Sequence, residues 1–163
     1  FQSYRSSPSL NTGGSGDAVM IWSDDRGEDL DLYAQRISLS GDTIVTEWGV
    51  GGKVVCDASG DQSSPRVSQY LDEETIITWE DERSGITDAY FQILDVNGNE
   101  TLQSDGVIVC SGDWEIIKPR VKAENSIAYI VWEDRRNNPN AGDVYGQFIN
   151  MDGSLGSASQ SIT

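Results

Sequence analysis

The sequence contains no histidine and only two cysteines among its 163 residues. Without histidine, the chain has no Ser-His-Asp triad, no imidazole general base and no histidine-based zinc site. A pair of carboxylates could still hydrolyse a glycosidic bond, but nothing in the sequence singles out one pair among 27 acidic residues. We therefore predict no catalytic residues and expect the protein not to be an enzyme.

Basic residues are also scarce, since 11 lysines and arginines stand against 27 acids and the formal net charge is −16. This charge repels phosphates and anionic lipids, so nucleic acid is excluded as a partner. No apolar run is long enough to span a bilayer, so membrane insertion is not expected. The first ten residues, FQSYRSSPSL, lack the pattern of a signal peptide. Because the chain starts abruptly without Met, we expect a processed or excised piece of a longer protein.

One sequence unit occurs three times, with a period of 53 to 57 residues. The copies contain WSDDR from Trp22, WEDER from Trp79 and WEDRR from Trp132. Pro8, Pro65 and Pro119 precede these tryptophans by 13 or 14 residues. Six columns of identical residues recur around each cluster, namely Trp22, Trp79 and Trp132; Asp24, Asp81 and Asp134; Arg26, Arg83 and Arg136; Asp31, Asp88 and Asp143; Tyr33, Tyr90 and Tyr145; and Gln35, Gln92 and Gln147.

Each copy is typical of four short antiparallel strands. Apolar runs (AVMIW, ETIITW, IAYIVW) precede the clusters, alternating runs (DLYAQRI, DAYFQIL, DVYGQFI) follow them, and SLSGD, DVNGN and NMDGS carry hairpin-turn signals. No segment has a helical period. We predict an all-β fold of β-propeller blades, in which three tandem four-stranded antiparallel repeats form a partial ring or half of a six-bladed dimer. The single array covers residues 1–163, with approximate blades 1–61, 62–115 and 116–163.

A β-solenoid is the main alternative architecture. Its coils are usually shorter than these repeats, and it does not connect its strands by hairpin turns, so the propeller is favoured. Tandem fibronectin-like sandwiches would need roughly 100 residues per unit, which these repeats do not have.

The pattern WxDxR, spacer, DxYxQ resembles tandem repeats of secreted and cell-surface bacterial proteins with sialidase-like or related β-propeller folds, and it covers nearly the whole chain. The resemblance implies a propeller and a secreted or surface location. Its implication for activity is weak, because propellers host binding, scaffolding and catalysis alike. The Asp-box of true sialidases, with its Ser, Asp, Gly, Thr and Trp, is absent.

The recurring columns are expected to be structural. A residue that chemistry needs once does not have to recur in every blade, whereas a residue that locks a blade does. We expect Asp24, Arg26, Asp31 and their equivalents to tie the hairpin corner through charge-assisted hydrogen bonds. The Trp and Tyr columns are expected to pack in the core or between blades.

Calcium binding is the alternative interpretation of the acidic loops, and no other cofactor is predicted. Five acids crowd the first loop and would supply the oxygen ligands that calcium prefers, namely Asp24, Asp25, Glu28, Asp29 and Asp31. The second loop keeps Glu80, Asp81, Glu82 and Asp88, but the third has Arg135, Asn137 and Asn138. The turns DVNGNE and NMDGS lack the full ligand spacing of a calcium loop and are interpreted as hairpins.

The two cysteines, Cys56 and Cys110, occupy equivalent places in neighbouring repeats. Equivalent atoms in neighbouring blades usually lie farther apart than a disulfide tolerates, so we expect free, buried thiols. A bond near the propeller axis or between chains is the alternative.

The favoured function is a non-catalytic binding or scaffold module of a secreted or surface bacterial protein, with a carbohydrate or protein ligand held by loops at one face. Trp48 and Trp114 lie outside the repeated Trp column and are the candidate ligand-binding residues, with an ordinary role between blades as the alternative. The alternative functions are that the chain is part of a sialidase-like glycoside hydrolase or a structural spacer of a large adhesin. Propellers typically need about four to eight blades. The expected partners are therefore the remaining blades of a larger chain or a second copy in a homodimer.

Overall fold

Three antiparallel sheets follow one another along the chain in the computed structural model, which describes residues 5–12, 16–71, 73–150, 152–156 and 160–161. These residues contain no helix, and hence none that could span a membrane. The all-β class predicted from the sequence is confirmed.

Each sheet is formed by one of the three repeats. The first contains β1 (Arg5–Thr12), β2 (Ala18–Asp24), β3 (Asp31–Ser40), β4 (Thr43–Thr46) and β5 (Lys53–Cys56). The second contains β6 (Gln62–Gln69), β7 (Thr75–Asp81), β8 (Asp88–Leu94) and β9 (Val107–Cys110). The third contains β10 (Ile116–Glu124), β11 (Ile127–Asp134), β12 (Asp143–Ile149) and β13 (Gln160–Ser161). The predicted limits after residues 61 and 115 therefore fall in the connections between sheets.

The first sheet has a fifth strand because β3 is long enough to pair with two strands along the edge opposite β2. Its N-terminal part pairs with β5 and its C-terminal part pairs with β4 across the SLSGD turn. In the other two sheets, the equivalent hairpin is reduced to the isolated bridges between Leu94 and Glu100 and between Ile149 and Leu155. The four-stranded unit is thus common to all three repeats, and β4 is an addition to the first.

The proline column marks a bulge in the first strand of each sheet. The pairing register shifts around Pro8, Pro65 and Pro119 in β1, β6 and β10. The residues before the last two prolines, Ser64 and Lys118, both have a positive φ of 54°. Proline has no N–H to give to the ladder, and a bulge is one of the few places in a strand that tolerates it.

Two hydrophobic clusters join the sheets in sequence order. One contains Ile21 of the first sheet and Ile77 of the second, and the other contains Ile76 of the second sheet and Ile130 of the third. Adjacent residues of β7 thus point into different clusters, as the alternation of a strand requires. This burial on both faces explains why β7 is buried without interruption from Thr75 to Trp79, whereas β11 begins with alternating exposed and buried residues.

Gly106 is a position where a glycine is required both by backbone and by space. Its φ is +81°, and an added Cβ would lie 2.3 Å from the Trp79 ring. Gly85 has a similar φ of +86°, but an added Cβ would meet nothing within 4 Å. We expect Gly85→Ala to cost about 1–2 kcal/mol of unfolding free energy from its left-handed backbone alone. Gly106→Ala should cost about 1–3 kcal/mol more, because the core must move. Urea denaturation of the two variants measures the difference, and equal losses would show that the ring contact is unimportant.

Candidate functional site

A buried carboxylate organises the corner between β7 and β8. Asp81 is fully buried and accepts hydrogen bonds from Trp79 Nε1 (2.8 Å) and from the backbone N–H of Arg83 (3.0 Å). The guanidinium of Arg83 donates two more, from Nε at 2.8 Å and from Nη2 at 2.6 Å. Four donors therefore saturate one carboxylate, which offsets the cost of burying its charge.

Aromatic rings enclose this ion pair. The Arg83 guanidinium carbon lies 4.1 Å from the centroid of the Tyr90 ring, and the Trp79 and Tyr90 rings stack with centroids 6.1 Å apart. Burial alone would lower the pKa of Arg83, but its hydrogen bonds to Asp81, together with electrostatic interactions with Cys56, Asp81 and Tyr90, raise the pKa. The arginine is thus a permanent cation that bridges the carboxylate and the tyrosine.

The same corner is present in the other two repeats. Arg26 Nη2 lies 2.7 Å from Asp24 Oδ2, and the corresponding distance from Arg136 to Asp134 is 2.6 Å. Both arginines also lie over the tyrosine of their own repeat, at 3.7 and 4.1 Å from its ring centroid. Four of the six columns thus meet in one structural unit, which recurs in each sheet.

The second aspartate column takes no direct part in this ion pair. Asp88 accepts a hydrogen bond from Ser84 Oγ at 2.8 Å, and Asp143 accepts one from Asn137 Nδ2 at 2.9 Å. Burial raises the pKa of Asp31 and of Asp88. We expected this column to tie the hairpin corner together with the arginine. In the second and third repeats, Asp88 and Asp143 instead accept hydrogen bonds from side chains of the loop between the two strands.

The glutamine column fastens the chain that returns toward the next sheet. In every repeat the side-chain amide donates to a carbonyl of that segment, with the pairs Gln35 to Gly49, Gln92 to Gln103 and Gln147 to Gly156. The columns therefore hold both ends of the third strand in place.

Both cysteines are free and lie beneath the arginine of the following repeat. Arg83 Nη2 lies 3.1 Å from Cys56 Sγ, and Arg136 Nη2 lies 3.8 Å from Cys110 Sγ. Burial raises the pKa of Cys56 to about 12, and it also raises the pKa of the half-buried Cys110. Thiols that stay protonated are poor nucleophiles, so the pair belongs to the contact between repeats rather than to a reactive site.

The acids proposed as calcium ligands have other partners. Asp24 is bound to Arg26, and Asp29 accepts the N–H of Gly60 at 2.9 Å. Within the described ranges, no group of three or more metal-ligating side chains could hold an ion. The geometry therefore gives the calcium alternative no ligand cluster.

Trp48, one of the two tryptophans considered for ligand binding, is in the core. It is 9% exposed, donates from Nε1 to Val96 O at 3.1 Å and lies against Gly98, where an added Cβ would be 2.7 Å from its ring. This placement favours a role in joining the first two sheets, and only a small part of the ring borders an open cavity of about 430 Å³.

Trp114, the other candidate, borders an open cleft of about 690 Å³ between the second and third repeats. Three connections form the cleft: residues 82–87 after β7, residues 111–115 before β10, and residues 135–142 after β11. The side chains that matter for its chemistry are Glu82, Thr87, Trp114, Glu115 and Arg135. The cleft thus combines one aromatic ring with acids, a hydroxyl and a cation.

The cleft lacks two side-chain hydrogen bonds that join the connections at the equivalent place between the first two repeats, whereas the backbone hydrogen bond from Gln62 N–H to Leu30 O has its equivalent here, from Ile116 N–H to Thr87 O. Between the first two repeats, Asp29 accepts the N–H of Gly60, and Asp61 accepts the N–H of Leu30 at 3.0 Å. In the second repeat, Ile86 occupies the position of Asp29 in the first. In the connection before β10, Trp114 occupies the position that Gly60 has in the connection before β6. An isoleucine side chain cannot accept a hydrogen bond, and an indole needs more room than a glycine.

Trp114 also differs from the other four tryptophans in its indole N–H. The three column tryptophans donate to the aspartate of their own repeat and Trp48 donates to a carbonyl, whereas Trp114 Nε1 is buried with no hydrogen-bond partner among the described residues. Arg136 lies 5.1 Å from its ring centroid, and an added Cβ on Gly112 would lie 2.4 Å from the ring. An unpaired buried donor costs free energy, and the recurring corner of each repeat does not require this one.

The sequence interpretation missed the residues that accompany Trp114. Arg135 holds Glu115 in an ion pair and lies 3.5 Å from Glu133, and Thr87 donates to Glu82 at 3.4 Å. A signal was present, because Arg135 occupies the place of Asp25 and Glu82 in the other repeats. A change from acid to base within an otherwise regular column marks the repeat with a special surface.

Comparison with known proteins identifies the fold but no family. No family model matches the chain, and no curated protein matches it. Among solved structures, the chain is similar to a family 117 glycoside hydrolase produced by the marine bacterium Zobellia galactanivorans, with 12% sequence identity and a TM-score of 0.61. The match covers 96% of this chain and 56% of the hydrolase chain, so this chain spans little more than half the length of that protein. At this identity the likeness shows a shared fold.

The buried ion pair of the corner provides a test of its structural role. Asp81→Ala leaves Trp79 Nε1 and the Arg83 guanidinium without their acceptor, and we expect a loss of about 3–5 kcal/mol in unfolding free energy. Glu133→Ala is the matched control, because it breaks ion pairs with Lys118, whose side chain is 61% exposed, and with Arg135, and should cost about 1 kcal/mol or less. Urea denaturation of both variants measures the difference. Similar losses would contradict a structural role for the column.

Proposed function

We propose that the three sheets are consecutive blades of a β-propeller and that the cleft beside Trp114 binds carbohydrate without catalysis. The observation that carries the binding proposal is the departure from the repeat at this cleft, where an aromatic ring and an arginine replace a glycine and an acid. The propeller arrangement is supported by three sheets of similar topology that share clusters in sequence order.

The chemistry of the cleft suits a sugar. Its volume of about 690 Å³ falls within the range of small-molecule sites, which combine apolar surface with a few polar groups that fix orientation. The Trp114 ring offers an apolar face to the C–H groups of a pyranose, while Thr87, Glu82 and Arg135 offer donors and acceptors to its hydroxyls. The fold shared with a glycoside hydrolase favours a carbohydrate over a protein ligand.

A glycan array with the folded chain tests this proposal. We expect wild-type protein to bind one class of oligosaccharide, and Trp114→Ala to weaken that binding by at least about tenfold, as loss of a central aromatic contact does. Near-UV circular dichroism and thermal melting establish that each variant is folded. Absence of binding to any glycan, or unchanged binding by folded Trp114→Ala, would overturn the proposal.

The repeat supplies a matched control for the polar contacts. Arg135→Ala removes the cation of the cleft, whereas Asp25→Ala changes the equivalent position in the first repeat, where residues 29 and 61 hold the loops together. Only Arg135→Ala should weaken glycan binding. An equal effect of both changes would place the binding site elsewhere.

Hydrolysis at the same cleft is the second candidate function. It is favoured by three carboxylates on the cleft wall, Glu82, Asp113 and Glu115, together with the fold shared with a glycoside hydrolase. Glycosidases commonly use two carboxyl groups, about 5–9.5 Å apart. We expect no release of reducing ends from the oligosaccharides that bind, measured by a reducing-sugar assay over long incubation. Release that Glu82→Gln or Glu115→Gln abolishes, while binding persists, would establish the hydrolase instead.

A further inference from the structure

The first and third sheets each have an outer face that no other described sheet covers. In the second sheet, the faces with the equivalent residues are both covered by a neighbouring sheet. In the third sheet, Tyr129 is 53% exposed, Val144 49% and Phe148 37%. The equivalent residues of the second sheet are Ile76, Ala89 and Ile93, which are at most 2% exposed because the third sheet covers them. The outer face of the third sheet therefore has the residues of an interface, and none of the described sheets covers it.

The outer face of the first sheet shows the complementary half of the same interface. Trp22 is only half-buried, whereas its equivalents Trp79 and Trp132 are 0% and 2% exposed beneath the preceding sheet. Beside Trp22, Met20 and Ile37 line an open apolar cavity of about 340 Å³. The outer face of the first sheet is therefore of the kind that packs on a preceding sheet, and the outer face of the third sheet is of the kind that packs on a following sheet.

We propose that a second copy of this chain covers both faces, with the first sheet of each copy packed on the third sheet of the other. The proposal rests on the propeller arrangement proposed above, and it continues an interface that already occurs twice within the chain. Two copies related by a two-fold axis then form two identical contacts and close a six-sheet ring, which leaves no face uncovered. A single chain leaves both faces in water, which soluble monomers rarely do with apolar surface of this kind.

Light scattering after size-exclusion chromatography tests the ring. We expect a mass twice the 17.8 kDa of the chain. Tyr129→Glu on the third sheet and Met20→Glu on the first should each weaken association by at least about 30-fold and yield folded monomers, because each places a charge in both contacts of the ring. Val45→Glu is the matched control. It changes an exposed valine of β4 that pairs with Ser38, on the face of the first sheet opposite to Met20 and Ile37, and should leave the dimer intact.

Three results would overturn this arrangement: a monomeric wild-type chain with native circular dichroism, a dimer that neither variant disrupts, or a dimer that only Tyr129→Glu disrupts. The last would indicate that two third sheets pack on each other. Glycan binding at Trp114 lies within one chain, between its second and third repeats, so it is measured separately in the same monomeric variants. A wild-type chain that is monomeric and still binds glycan would reject the ring and keep the proposed ligand site.

Discussion

A carboxylate buried beneath a tryptophan is the constraint on which each repeat depends. Once Asp24, Asp81 or Asp134 is out of water, its charge has to be met by donors, and the neighbouring tryptophan and arginine supply them. The guanidinium of the arginine in turn packs over the ring of the tyrosine in the next strand. Four residue types are thus required together, which explains why they recur together while the loop between them varies in length and composition.

Departures from this regularity give the molecule its individual surfaces. Asp29 and Asp61 tie the connections of the first two repeats, whereas the next pair of connections, with Ile86 and Trp114, lacks these two side-chain hydrogen bonds. The framework tolerates this change because the corner beneath it, built on Asp134, is intact. A stable repeated core therefore permits an open cleft above it at little structural cost.

Sequence patterns predicted most of the framework and less of the candidate site. The alternation of β11 and the turn residues were sufficient for the all-β class, because strand periodicity and hairpin chemistry are local. The burial of Trp48 could not be predicted, because its partner Val96 lies 48 residues away, in a turn of the second repeat. Arg135 was visible as an exception in its column, but its proximity to Trp114 depends on how two sheets meet. The calcium hypothesis assumed that acids adjacent in sequence converge, whereas Asp29 binds the chain 31 residues further on.

The second sheet is the only described sheet with both faces in a hydrophobic cluster. Its position makes the energetics of the chain resemble a line of coupled units, in which each unit interacts only with its neighbours. An outer unit can open while one cluster persists, but opening of the middle unit dissolves both. A destabilising substitution at Trp79 or Phe91 should therefore weaken the packing of both outer sheets, whereas one in an outer repeat should affect that repeat alone. Protection against amide hydrogen exchange should consequently be highest at the centre of the array and decline toward its ends.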